Sequence, residues 1–152
     1  MRKCLIGAAM TMLVAMPVIV QAQEHGVMHL QSSDGIESVE QRLRGALEEK
    51  GLTLMTVVDH AANAEGVGLT LPATRTFIFG NPKVGTPMMQ CRGSMALDLP
   101  QKIVVREVDE GVRLEWNSPL YLAERHSLEE CDLPLDKVAG VLESVASAAA
   151  DR

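Results

Sequence analysis

The stretch RTFIFGNPKVGTPMMQ, Arg75 to Gln90, decides how this chain folds. Thr76, Phe77, Ile78 and Phe79 are β-branched or aromatic, the types that fit a pleated, half-buried surface, and they read as a strand. Gly80 and Asn81 end it, because both tolerate turn backbone angles. Pro82 suits the first turn of a helix, where its missing N–H costs nothing. A second start stands a few residues on, with Thr86 as cap and Pro87 at the first helical position. With either start, a strand, a polar turn and a helix N-terminus meet here beside Lys83. Backbone N–H groups at a helix start favour negative charge, so Asn81, Lys83 and Thr86 become candidates for holding a small anionic ligand. The stretch is not the phosphate loop of nucleotide enzymes, since no Gly-x-x-x-x-Gly-Lys-Ser/Thr occurs.

Downstream, the helix is expected to run to about Arg92, with Met88, Cys91 and Met95 near one face. Leu97-Asp-Leu-Pro100 breaks it, and Lys102 to Val108 is another strand. Asp109-Glu-Gly111 is a hairpin turn. Val112, Leu114 and Trp116 then alternate with Arg113, Glu115 and Asn117, a period of two. Strands joined so closely must be antiparallel. Ser118-Pro119 starts a helix reaching about His126. After a polar connector, Leu135, Val138, Leu142 and Val145 mark a final amphipathic helix.

Upstream, Val27 to Gln31 is a short strand. Ser32, Ser33 and Asp34 are cap candidates for a helix whose apolar face is Ile36, Val39, Leu43 and Leu47. Lys50 and Gly51 are its expected stop. Leu52 to Val58 is a second strand, ended by Asp59, and His60 to Gly66 is a turn or two of helix. The order is β-α-β-α-β-α-β-β-α-α. The expected class is α+β, a mainly antiparallel sheet with helices packed on one face.

The first residues have the form of an export signal. Arg2 and Lys3 precede an almost wholly apolar run from Cys4 to Val20, and Val20-Gln-Ala22 is a small-residue cleavage site. Residues 1–22 are therefore expected to be a signal peptide, cleaved near Ala22–Gln23, and the single domain 23–152 to be periplasmic or secreted. An uncleaved N-terminal membrane anchor is the rival reading, against which stand the short apolar run and Pro17 near its end. No later segment is long and apolar enough to cross a bilayer. The formal net charge of −6 becomes −8 once Arg2 and Lys3 leave, a surface that repels nucleic acid and anionic lipid. With aromatic residues at only 3%, there is no base-stacking platform either. Cys91 and Cys131 remain, a pair in a compartment that permits a disulfide. Two buried free thiols are the alternative.

Candidate chemistry is sparse. Asp59-His60 and Arg125-His126 each put an imidazole next to a charged neighbour, a possible base or ligand. Helix ends attract histidines anyway. Met88, Met89, Cys91, His126 and Cys131 have soft ligand atoms but no recognised metal spacing, so no metal and no cofactor is expected. Cys91 with His60 or His126 would suit covalent catalysis, which a disulfide abolishes. No Gly-x-Ser-x-Gly elbow occurs, and the serines have no visible partners.

The string from Phe79 to Gln90 resembles a prokaryotic family, the domain of unknown function 302. Asp59-His-Ala-Ala62, Leu97-Asp-Leu-Pro100 and Asn117-x-Pro119-x-Tyr121-Leu-Ala123-x-Arg125-His126 fit the same pattern. The resemblance covers the chain from about Val27 onward. It implies a compact α+β domain similar to the TATA-binding-protein-like fold, often a homodimer, and no activity. Cys91 and Cys131 are outside the pattern.

The expectation is a non-enzymatic domain that binds a small ligand or a protein partner. Its surface would combine Asn81, Lys83 and Thr86 with Gln90, His60 and His126. The alternative is a small hydrolase or isomerase with His60 or His126 as general base. A histidine within hydrogen-bond reach of a carboxylate or Cys91, in a pocket, raises the enzyme reading. Rings buried against backbone carbonyls lower it.

Overall fold

The computed structural model describes residues 21–22 and 25–152. In chain order the elements are β1 (Gln21–Ala22), β2 (Val27–Ser32), α1 (Ile36–Glu49), β3 (Thr53–Asp59), α2 (His60–Glu65), β4 (Thr74–Gly80), α3 (Pro82–Cys91), a 3-10 turn (Gly93–Leu97), β5 (Gln101–Val108), β6 (Gly111–Asn117), α4 (Pro119–His126) and α5 (Leu135–Ala150). The strands form one sheet in the order β1-β2-β6-β5-β4-β3, and every neighbouring pair is antiparallel. The export signal expected over residues 1–22 lies, apart from Gln21 and Ala22, outside the described residues.

Side-chain alternation sends Leu30, Leu114, Val105 and Phe77 to the same side of the sheet. There they meet Val39, Leu43 and Leu47 of α1 and Leu142, Val145 and Ala149 of α5 in the main core. The opposite side carries Thr76, Val104, Glu115 and His29, directly paired from strand to strand. A second, smaller core joins Met88 of α3, Met95 of the 3-10 turn, and Leu122, Ala123 and Leu128 at and beyond α4.

The local signals explain most boundaries. Gly51, at φ 66°, ends α1, with its N–H bonded to the Glu48 carbonyl. Gly111, at φ 118°, closes the β5–β6 hairpin, where an added Cβ would collide with the Ser32 carbonyl. Ser118 caps α4 from its side chain, with Pro119 at the first helical position.

Three details differ from the sequence reading. The cap of α1 is Gly35, without a side-chain bond, because Asp34 is drawn into an ion pair with Arg42 at 2.8 Å and Ser32 Oγ accepts from the Asp34 N–H instead. Helix α3 takes the first of its two possible starts, so Pro87 lies inside it and Thr86 is not a cap. The cost is one hydrogen bond, the one Pro87 cannot donate to the Lys83 carbonyl. The same helix ends at Cys91, because Arg92 turns extended at φ −137°, and Met95 rejoins Met88 only through the following 3-10 turn.

Candidate functional site

The end of β4 and the start of α3 form one wall of an apolar cleft of about 340 Å³. Phe79 and Gly80 lead into it, and Pro82, Val84, Gly85 and Met88 continue the wall. Val138, Val141 and Leu142 of α5 face them, Leu52 and Met55 close one side, and Leu99 and Pro100 close the other. The Leu99–Pro100 peptide is cis. Polar atoms are few: Asn81, Thr86, Gln101 and the exposed Lys137. Met55 and Val84 are 51% and 40% exposed, so the apolar lining continues onto the surface.

The donors at the start of α3 are already in use. Asn81 Oδ1 accepts from the Lys83 N–H at 3.0 Å, and the Asn81 carbonyl accepts from Val84 and Gly85. Pro82 has no N–H to give. The anion cradle expected at Asn81, Lys83 and Thr86 therefore finds no free donor among these backbone groups.

The six expected binding residues do not assemble into one surface. Asn81 and Thr86 line the cleft, whereas Lys83 and Gln90 are exposed on α3 outside its lining. His60 lies beside the other end of β4, where it shares a 2.8 Å hydrogen bond with Thr76 Oγ1. Asn81 lies five residue steps along the chain from Thr76, about 16 Å at the usual strand rise. The Asp59 carboxylate does not serve His60. It caps α2 through the Ala62 N–H and accepts from Arg75, which also reaches Glu40. These contacts hold the Asp59 carboxyl below the usual carboxylate range, the Ala62 N–H contributing most and the Arg75 hydrogen bond next.

His126 has a different setting. Its side chain is 4% exposed and its Nε2 lies 2.6 Å from Asp98 Oδ2, itself only 12% exposed. Nδ1 lies 2.8 Å from Ser94 Oγ. Arg125 adds a 3.3 Å ion pair to the same Asp98 carboxylate. The ring is thus buried between side chains rather than backbone carbonyls, and it is within reach of a carboxylate. Neither Ser94, His126 nor Asp98 lines the cleft.

The Cys91 and Cys131 sulfurs meet where α3 ends and the α4–α5 connector passes, with Cα atoms 6.4 Å apart. That separation is within the range a disulfide spans. Among the described residues no three or more His, Cys, Asp or Glu side chains gather as a metal site. Sequence reasoning passed over Ser94, Lys137 and the α5 wall of the cleft. The first two have no motif, and the last reads in sequence as ordinary core.

The match to the family described as "Domain of unknown function DUF302" runs over residues 28–148. The chain belongs to that family. A crystal structure of an uncharacterized conserved DUF302 protein from Bacillus stearothermophilus has the same fold, with a TM-score of 0.68 at 18% identity, covering 83% of this chain and 96% of that one. Two Brucella proteins are similar in sequence: the fluoride-specific ion channel FluC 1 of Brucella suis and FluC 2 of Brucella melitensis. Each is 36% identical over 113 residues, which are 74% of this chain but only 44% and 42% of those proteins. The chain thus spans less than half the length of the curated relatives it matches. Among the described residues no helix is long and apolar enough to cross a membrane.

Proposed function

We propose that this DUF302 domain binds a small, largely apolar molecule in the cleft between α3 and α5. The observation that carries the reading is the 340 Å³ apolar cavity with a few polar groups at its margin. Ligand sites combine that size range and that lining. Among the described residues of the lining Lys137 is the one charged side chain, so a polar or acidic end of the ligand would sit there. The small anion expected from the turn alone gives way to an amphipathic molecule. Fluoride conduction is no part of the proposal, since the channel name belongs to proteins more than twice the length of the matched segment.

An environment-sensitive naphthalene sulfonate dye tests the reading. Its emission should rise on mixing with the protein and fall when a medium-chain fatty acid competes. Gly85→Leu points into space next to Leu99 and should fill the cleft, cutting dye affinity at least about 10-fold, the effect of losing a buried apolar contact of some 1.4 kcal/mol. Unchanged dye binding in a folded Gly85→Leu protein would count against the cleft.

Export to an oxidising compartment, a Cys91–Cys131 disulfide and a homodimer belong to the same proposal. The signal-like residues 1–22, the proximity of the two sulfurs and the family resemblance support them in that order. N-terminal sequencing of the protein from a periplasmic extract should begin near Gln23. Light scattering at micromolar concentration should give twice the chain mass, and a monomer mass would remove the dimer.

A further inference from the structure

Ser94, His126 and Asp98 form a side-chain relay outside the lining of the cleft. Asp98 as a carboxylate only accepts, so in the neutral ring Nε2 carries the proton and donates it at 2.6 Å. That fixes the tautomer. Nδ1 is then left with a lone pair, 2.8 Å from Ser94 Oγ, and accepts its hydroxyl proton. Burial of the ring and of most of Asp98 keeps this arrangement out of water, while Ser94 itself is exposed on the 3-10 turn that follows α3. A purely structural tie between α4 and the segment before β5 is complete with the His126–Asp98 contact. The further bond comes from a residue that is itself exposed, so it adds little to that anchoring. What it does is aim a serine proton at a basic nitrogen held by a carboxylate, the nucleophile, base and orienting group of acyl-transfer chemistry.

We propose that Ser94 is a nucleophile activated by His126, with Asp98 as a positioning residue, acting on small carboxylic esters that reach it from solvent. The step balances without any further reagent. Ser94 Oγ forms a bond to the ester carbonyl carbon as its proton passes to His126 Nδ1. The carbon–oxygen bond to the alcohol breaks, and the alcohol leaves with that proton. Water, giving a proton to the same nitrogen, then cleaves the acyl-serine, releases the acid and restores the hydroxyl. The nitrogen roles are exchanged relative to the common serine triad, in which the serine faces Nε2. Either ring nitrogen serves as base once its partner carries the proton.

The test is covalent capture. The full chain is incubated with a small alkyl fluorophosphonate and followed by intact mass and peptide mapping. One adduct should form, on Ser94, and Ser94→Ala should take none. His126→Gln should slow labelling at least about 100-fold, the usual contribution of a positioned base. Should that variant fail to fold by circular dichroism, Asp98→Asn provides the same comparison. Hydrolysis of p-nitrophenyl acetate by the wild type should show a burst that Ser94→Ala lacks. A wild-type protein that takes no adduct on Ser94, or a folded His126→Gln or Asp98→Asn protein labelled at the wild-type rate, overturns the proposal.

Discussion

Glu115 shows how a single side chain on the sheet ties stability to pH. Its carboxylate accepts two hydrogen bonds from Arg106 on the neighbouring strand, at 2.6 and 3.0 Å. The Arg106 hydrogen bond is the main cause that holds the Glu115 carboxyl below its ordinary value, and burial opposes it. The folded state therefore prefers the ionised form more than the unfolded chain does. That stabilisation is fully present above the unfolded value and is lost as pH falls through the lower folded value. Both side chains are about a quarter to a third exposed, which limits the pair to roughly 0.5–1 kcal/mol. Glu115→Gln should cost about that much in urea unfolding at pH 7, and the difference from wild type should shrink toward zero in acid. A deficit that stays constant with pH would mean that packing, not charge, is lost. The Asp59 carboxyl is lowered in the same direction, by the Ala62 N–H and Arg75, and adds to the acid sensitivity with the same sign.

At the scale of elements, the junction from β4 into α3 rests on Asn81. Its side chain accepts from the Lys83 N–H and its carbonyl begins the helix, so one residue both ends the strand and starts α3. Asn81→Ala should cost about 1 kcal/mol in chemical unfolding, the usual loss for a removed cap. It should also weaken dye binding, because α3 is a wall of the cleft. A stable variant with intact binding would show that Pro82 alone sets the start. Gly111→Ala is a separate case. Its φ of 118° and the Ser32 carbonyl in its path predict a loss above about 1 kcal/mol, seen as a lower melting temperature. These junctions were legible in the sequence because they depend on neighbours: Asn-Pro after a strand, Gly after a helix, Ser-Pro before one. The period-two run at Val112, Leu114 and Trp116 was legible for the same reason, and those three side chains are buried together. The cap of α1 was not, because Asp34 answers to Arg42, eight residues away. The cleft was less so, since it exists only where α5 approaches α3 across the chain. His126 could be singled out by sequence, but Ser94 and Asp98 reach it only because the 3-10 turn brings the chain back beside α4.

On the scale of the whole molecule, the fold has two cores of unequal security. The sheet with α1 and α5 buries Phe77, Phe79, Leu43 and Leu47 completely or nearly so. The second core is a handful of residues from α3, the 3-10 turn and α4, with Cys91 and Cys131 packed against it. It also supports Met88 on the cleft wall and the segment that carries Ser94. A bridge here would close a loop with a sequence separation of 40. In the chain-entropy account that constrains the unfolded chain by roughly 4 kcal/mol, with native-state strain subtracting from it. Cys91→Ala/Cys131→Ala should thus lower the melting temperature by on the order of 10 °C. Reductant should bring the wild type down to the same value and leave the double variant unmoved. Intact mass should rise by the two hydrogen atoms that the reductant adds. The dye should also bind the reduced protein more weakly, because the α3 wall loses its tether while the main core keeps its own contacts. If reductant changes neither mass nor melting temperature, the two sulfurs are neighbouring thiols. The second core would then rest on apolar packing without a covalent tie, around Met88, Met95, Leu122, Ala123 and Leu128.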